Sequence, residues 1–266
     1  MSYYASFQGR VFLAKRNALG QAIEAQSPGN VAELKLSLKT DVLEHFESQS
    51  GQRALDHRMV KQKSATVNLT IEEFTKENLA LALYGNHQLS VGAMVTDEPI
   101  GVQAAPPASS VLPTIGERYF LAHQKISNLV LKDSAATPVN LQAGVDYTAD
   151  LDFGAVQFLR THNGATPPVE FVAPIKASYA FGAVTEIGIF TQALPERFLR
   201  LEGINTAQGN AKVLVELYRV AFDPLKELSL ISDEYNKFEL EGSLLADSSK
   251  PIDALLGQFG RIVQVS

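Results

Sequence analysis

The sequence predicts a mainly β fold: an antiparallel β sandwich or partial barrel flanked by one α-helix, with a small β sandwich inserted mid-chain. Three observations carry that prediction. In residues 31–41, Leu34, Leu36 and Leu38 alternate with Lys35, Ser37 and Lys39, and a period of two puts the leucines on one buried face. The same rhythm returns where Ala65, Val67, Leu69 and Ile71 alternate with Ser64, Thr66, Asn68 and Thr70. Between residues 73 and 85 the period lengthens: Leu79 and Leu83 lie four apart among Ala, Leu and Glu, which marks a helix.

Taken in order, residues 7–16 read as a first strand, and Gly20 with Ser27-Pro28-Gly29-Asn30 punctuates a loop. Residues 42–59 are polar and tipped by Ser48-Gln49-Ser50-Gly51-Gln52, a long hairpin arm projecting from the sheet. Such an arm buries little in its own subunit, so it flexes or docks on a neighbour. In the helix, Thr75 suits the N-cap, Glu77 the first turn and Gly85 a left-handed C-terminal position, with Leu79 and Leu83 facing the core.

After Gly85 the chain turns rich in Ala and Pro, and residues 104–110 resemble a linker. Short β runs follow at 118–121, 126–131, 147–150, 155–159, 177–181 and 186–190, with Asp152-Phe153-Gly154 as a hairpin turn. Residues 197–203 are a strand followed by the turn Gln208-Gly209-Asn210. A β-rich run at 212–220 is broken by Pro224, another starts at 225–231, and alternation returns at 238–244. The expected organisation is a discontinuous core, 1–85 with 195–266, around an inserted domain at 86–194.

Composition narrows the function classes. A chain of 266 residues with 45% hydrophobic content buries a core unaided, and the absence of cysteine removes disulfides and thiolate metal sites. No basic region followed by an apolar run opens the chain, so no secretory signal is expected, and no stretch approaches the length of a membrane span. The net charge of −6 argues against gripping a phosphate backbone. Asp146, Asp150 and Asp152 lack the ligand pattern of a calcium loop, and Asp beside Gly is ordinary turn chemistry. The five histidines show no metal-binding spacing, and no phosphate-binding, dinucleotide-binding or nucleophile-elbow motif is present. Enzyme is therefore the weakest class, with no catalytic, cofactor or metal residues expected.

One ordered set of motifs points further. Pro28-Gly29-Asn30-Val31, the Leu-x-Leu-x-Leu strand, His45-Phe46-Glu47-Ser48 with Gly51, the return from Asp56 to Lys63, and Phe74-Thr75-x-Glu77-Asn78-Leu79-Ala80-Leu81-Ala82-Leu83-x-Gly85 follow in sequence. Together they resemble the major tail tube protein of long-tailed bacteriophages of the siphovirus type. The likeness covers the first third closely, resumes from about Arg197 and leaves the middle unaccounted for.

The resemblance implies a structural virion protein, made in the host cytoplasm, whose hexameric rings stack into the tail tube that conducts DNA during ejection. It implies as partners the chain itself, a tape measure protein, a tail terminator and tail tip or baseplate proteins, with no cofactor and no membrane. Ring and stacking contacts would fall on the arm, at Glu44, Glu47, Ser50, Gly51, Arg53, Arg58 and Lys61. The lumen face would carry Lys35, Ser37, Lys39, Asp41, Ser64, Thr66 and Asn68, with acidic residues of other strands outweighing the lysines. Six copies would carry about −36 in net charge. An insert on the tube exterior leaves little room for a sheath, which implies a non-contractile tail. The rival readings are the tube protein of a contractile injection system and a monomeric β-sandwich module that binds carbohydrate or a host protein.

Overall fold

A computed structural model describes residues 4–100, 102–103, 109–252 and 256–265. The linker-like residues 104–108 lie outside the described residues. In chain order the strands begin with β1 (Phe7–Arg16), β2 (Ala22–Gln26), β3 (Val31–Phe46) and β4 (Leu55–Ile71), followed by α1 (Lys76–Ala82). Next come β5 (His87–Ser90), β6 (Ala93–Ile100), β7 (Val102–Gln103), β8 (Ser109–Ser110), β9 (Arg118–Phe120) and β10 (Ile126–Lys132). Then follow β11 (Tyr147–Asp150), β12 (Ala155–Phe158), β13 (Ile175–Phe181) and β14 (Val184–Ile187). The chain closes with β15 (Glu196–Asn205), a 3-10 turn (Thr206–Gln208), β16 (Ala211–Phe222), β17 (Phe238–Leu244) and β18 (Gly260–Val265). The chain forms two compact units, Met1–His87 with Ile187–Ser266, and Gln88–Glu186. Sequence composition placed the divisions at 85/86 and 194/195 instead.

The first unit is built on one continuous eight-stranded antiparallel sheet in the order β2-β1-β15-β16-β17-β4-β3, with β18 also on β16. Its hydrogen-bonded path does not close, ending at β2 and β3 with β18 as a further edge, which agrees with the mainly β, antiparallel fold expected. The register lines up apolar rows across it, such as Leu34 opposite Leu69 and Leu69 opposite Leu240. Val11, Leu199, Leu217, Val220, Phe222 and Phe238 complete this core, and Leu81 and Ala82 of α1 pack on it. The leucine stripe of β3 departs from expectation. Leu34 packs on the core, but Leu36 is 41% and Leu38 76% exposed. β3 is an edge strand, so Leu36 and Leu38 have a strand neighbour on one side only, although Val67 and Ala65 opposite them are buried.

The helix begins as expected, with the Thr75 hydroxyl accepting from the Asn78 amide at 3.2 Å. Its buried face differs: Asn78, Leu81 and Ala82 are buried, whereas Leu79 and Leu83 are half-buried. Asn78 sets this rotation by donating from its side chain to Pro28 O and Glu73 O, both at 2.8 Å. The left-handed residue after the helix is Tyr84 (φ 51°) and not Gly85. Tyr84 is tied down by its hydroxyl, which donates to Phe222 O at 2.5 Å. Gly85 serves close approach, since a Cβ there would lie 1.9 Å from Gly188 O.

Two further expectations are corrected. Residues 225–231 form no strand; Leu225 donates to Ala82 O at 2.8 Å, and the segment leaves the sheet. The run at 186–190 ends at Ile187, because Gly188 bonds to Asn86 O and Phe190 takes a positive φ of 54°. The arm is the long hairpin expected. β3 and β4 pair as far as Phe46 opposite Leu55 and leave only residues 47–54 as the turn.

The second unit holds two three-stranded antiparallel sheets, β10-β13-β6 and β11-β12-β9. They share one apolar cluster containing Ile126, Leu131, Ile175, Tyr179, Val156 and Phe158. Gly154 (φ 61°) makes the β11–β12 turn. Asp150 anchors that turn by accepting from the Phe153 amide, and the Arg118 guanidinium at 2.8 Å holds its carboxyl below the usual range.

Candidate functional site

Cross-strand partners share a face of a sheet, so the register assembles the polar side of the first unit's sheet row by row. Glu33 stands opposite Thr70, and Thr70 opposite Glu239; Lys35 opposite Asn68, and Asn68 opposite Glu241; Ser37 opposite Thr66, and Thr66 opposite Ser243. Lys39 lies opposite Ser64, and Asp41 follows two residues on along the same face. The seven residues expected on a lumen face are therefore brought together on one surface. Glu239 and Glu241 of β17 stand beside the lysine rows, and Glu33 precedes Lys35 by two residues on β3. The alternation at 238–244 does put Glu239 and Glu241 on a polar side, but only the pairing of β17 with β4 sets them beside the lysine rows.

The cations here are compensated one by one. Lys35 pairs with Glu33 at 2.7 Å, Lys39 with Asp41 at 3.7 Å, and Lys226 with Glu241. Towards β15 and β16, Arg219 forks onto Glu196 with contacts of 2.8 and 2.6 Å. Glu216 is buried between Arg200 at 3.0 Å and Arg261 at 2.6 Å. Lysines and arginines paired in this way offer phosphates few counterion-releasing contacts.

The arm carries the second set of candidates. Glu44 and Arg58 face each other across the ladder at 3.5 Å. Glu47 turns inward to the tip, accepting from the Ser50 hydroxyl and from the amides of Gln49 (2.7 Å) and Ser50 (2.8 Å). Those hydrogen bonds, the Ser50 hydroxyl first, bring its carboxyl down to about 2. Gly51 and Arg53 take the positive φ angles of the turn, and Ser50, Gly51, Arg53 and Lys61 are exposed. His45, opposite His57, contacts Asp56 at 2.6 Å, which holds the Asp56 carboxyl below its usual range.

The sequence reading missed the arm's apolar content. Leu43 stands opposite Met59, Val42 opposite Val60, and Phe46 opposite Leu55; all but half-buried Val42 are exposed. Successive pairs point to opposite faces, so the arm offers apolar side chains on both. A two-stranded ladder of this kind is marginal in water by itself. The signal was present in the residue types, but polar neighbours masked it.

Among the described residues no group of His, Asp and Glu is arranged to hold a metal, and no helix is long and apolar enough to cross a membrane. Fold and surface together define a mainly β protein with antiparallel sheets, a charge-compensated polar sheet face and an apolar-bearing hairpin. The chain belongs to the family described as "Protein of unknown function UCP028589", whose profile matches residues 4–263. No curated protein matches it.

Proposed function

We propose that the protein is a non-enzymatic building block of a phage tail tube, self-assembling into hexameric rings that stack around a lumen. One observation carries the reading. The sheet is open, and its β3 edge continues into a hairpin with apolar side chains on both faces and too little of its own subunit to cover them. Covering that surface with sister copies, at about 25 cal/mol per Å2 of apolar area, supplies a driving force for assembly. Edge-to-edge continuation of the sheet removes its exposed edges. The motif resemblance supplies the kind of assembly, and the compensated polar face suits a wall along which DNA slides unheld. In this reading the inserted unit lies outside the tube, the tail is non-contractile, and tape measure, terminator and tip proteins meet the tube at its ends.

Negative-stain microscopy of the purified full chain tests the proposal. Hollow rings or tubes are expected. A monodisperse monomer at high concentration would sink it, and glycan affinity in that monomer would favour a binding module.

A further inference from the structure

Two apolar surfaces of the first unit lie in water at opposite ends of β4. One is the arm, with Leu43 opposite Met59 and Phe46 opposite Leu55. The other is the connection from β16 to β17, where Leu230 is 83% and Ile231 96% exposed and Tyr235 is fully so. This connection is fastened at its base: the Asp223 amide donates to Glu241 O and the Leu225 amide to Ala82 O, both at 2.8 Å. Its outer part closes on itself, the Asn236 side chain donating to Ser229 O at 2.9 Å. Apolar side chains of this size, gathered on a fastened loop and left in solvent, mark a contact surface.

Neither surface can cover the other within one copy. Phe238, where the connection rejoins the sheet, stands opposite Ile71 at the end of β4. The seven residues from Ile231 to Phe238 carry Ile231 at most about 25 Å from there. Met59, twelve residues before Ile71, lies about 40 Å away along β4. The charges left over at the two ends are opposite in sign. On the arm, Arg53, Lys61 and Lys63 are exposed and have no carboxylate partner among the described residues, whereas Glu44, Glu47 and Asp56 are engaged. On the connection, Glu227, Asp233 and Glu234 are exposed and have no cation partner among the described residues. They stand against Lys237, while Lys226 is taken by Glu241.

We propose that the arm of one copy docks on the 225–237 connection of a second copy. Leu43 and Met59 pack there on Leu230, Ile231 and Tyr235, and the cations of the arm meet the acids of the connection. The contact joins unlike surfaces, so it repeats head to tail and does not close as a two-fold pair. Charge fixes its direction, since arm against arm would set cations against cations. The inference rests on the assembly reading above and names the acceptor for the arm, which that reading leaves open.

The chain has no cysteine, so introduced thiols report the contact directly. A full chain carrying Met59→Cys is mixed with one carrying Ile231→Cys and treated with a short bis-maleimide. Both positions are exposed, so neither substitution disturbs the fold. Linked dimers are expected from the mixture and nearly absent from either variant alone. Reversing the acids (Glu227→Lys, Asp233→Lys and Glu234→Lys together) should suppress the mixed link. Adding Arg53→Glu, Lys61→Glu and Lys63→Glu to the partner chain should restore it. The proposal is overturned if the mixture links no better than either variant alone, or if Met59→Cys chains link mainly to one another. Hollow tubes without the mixed link would overturn this contact and leave the tube reading standing. Mixed links in fibres without a lumen would uphold the contact and refute the tube.

Discussion

Arg16 and Asp247 show how much one buried pair can hold in place. Their side chains are 10% and 3% exposed, and they join the end of β1 to the turn that follows β17 at 2.9 Å. Arg16 Nε and Nη1 and Asp247 Oδ2 have no partner among the described residues, so geometry leaves the pair only partly compensated. Asp247→Asn should cost about 3–5 kcal/mol, because it strands a buried guanidinium. Arg16→Met combined with Asp247→Leu should come much closer to the parent in denaturant melts. Glu47 makes a second prediction. Its folded carboxyl titrates near 2, below the ordinary 4.5, so its contribution to the tip turn is fully present above about pH 4.5. That contribution is lost as pH falls through 2, and the Gln49 and Ser50 amide resonances should report a midpoint there. The Glu47 contact is local and was within reach of sequence reasoning. Nothing in the sequence links residue 16 to residue 247.

At the scale of elements, α1 depends on its cap and on one close approach. Thr75→Ala should cost about 1 kcal/mol by freeing the Asn78 amide. Gly85→Ala should cost more, since its Cβ would collide with the Gly188 carbonyl and the backbone would have to move. The arm behaves oppositely. Its apolar residues are exposed in the monomer, so Leu43→Ser and Met59→Ser should shift monomer stability by no more than about 0.5 kcal/mol. The same changes should abolish polymers in sedimentation. Deleting residues 48–52 should leave the fold intact and impair ring stacking; normal tubes from that variant would remove the arm from the assembly.

For the whole molecule, the open sheet is the feature with the widest consequence. Its apolar face is closed by α1 over the core and left bare along the β3 edge, where Leu38 is mostly in water. Its polar face pairs Lys35, Lys39, Arg200, Arg219, Lys226 and Arg261 with carboxylates. Filter-binding assays should therefore detect no saturable DNA binding at physiological salt, in ring or monomer. Lys35→Glu combined with Lys39→Glu should change that result little.

Periodicity alone determined the strands β1, β11 and β17, the β3–β4 pairing with its alternating faces, the existence of α1 and its Thr75 cap. These depend on neighbours two to four residues apart, and the spacing of apolar side chains encodes them directly. Tertiary structure decided which alternating face is truly buried. Leu36 and Leu38 have the pattern of core residues and lie at an edge, while Asn78 takes a core position that a leucine spacing of four assigned elsewhere. It also decided which acids stand beside Lys35 and Lys39. Burial and charge pairing are set by strand order and register between residues far apart in the chain, and local spacing carries no information about either.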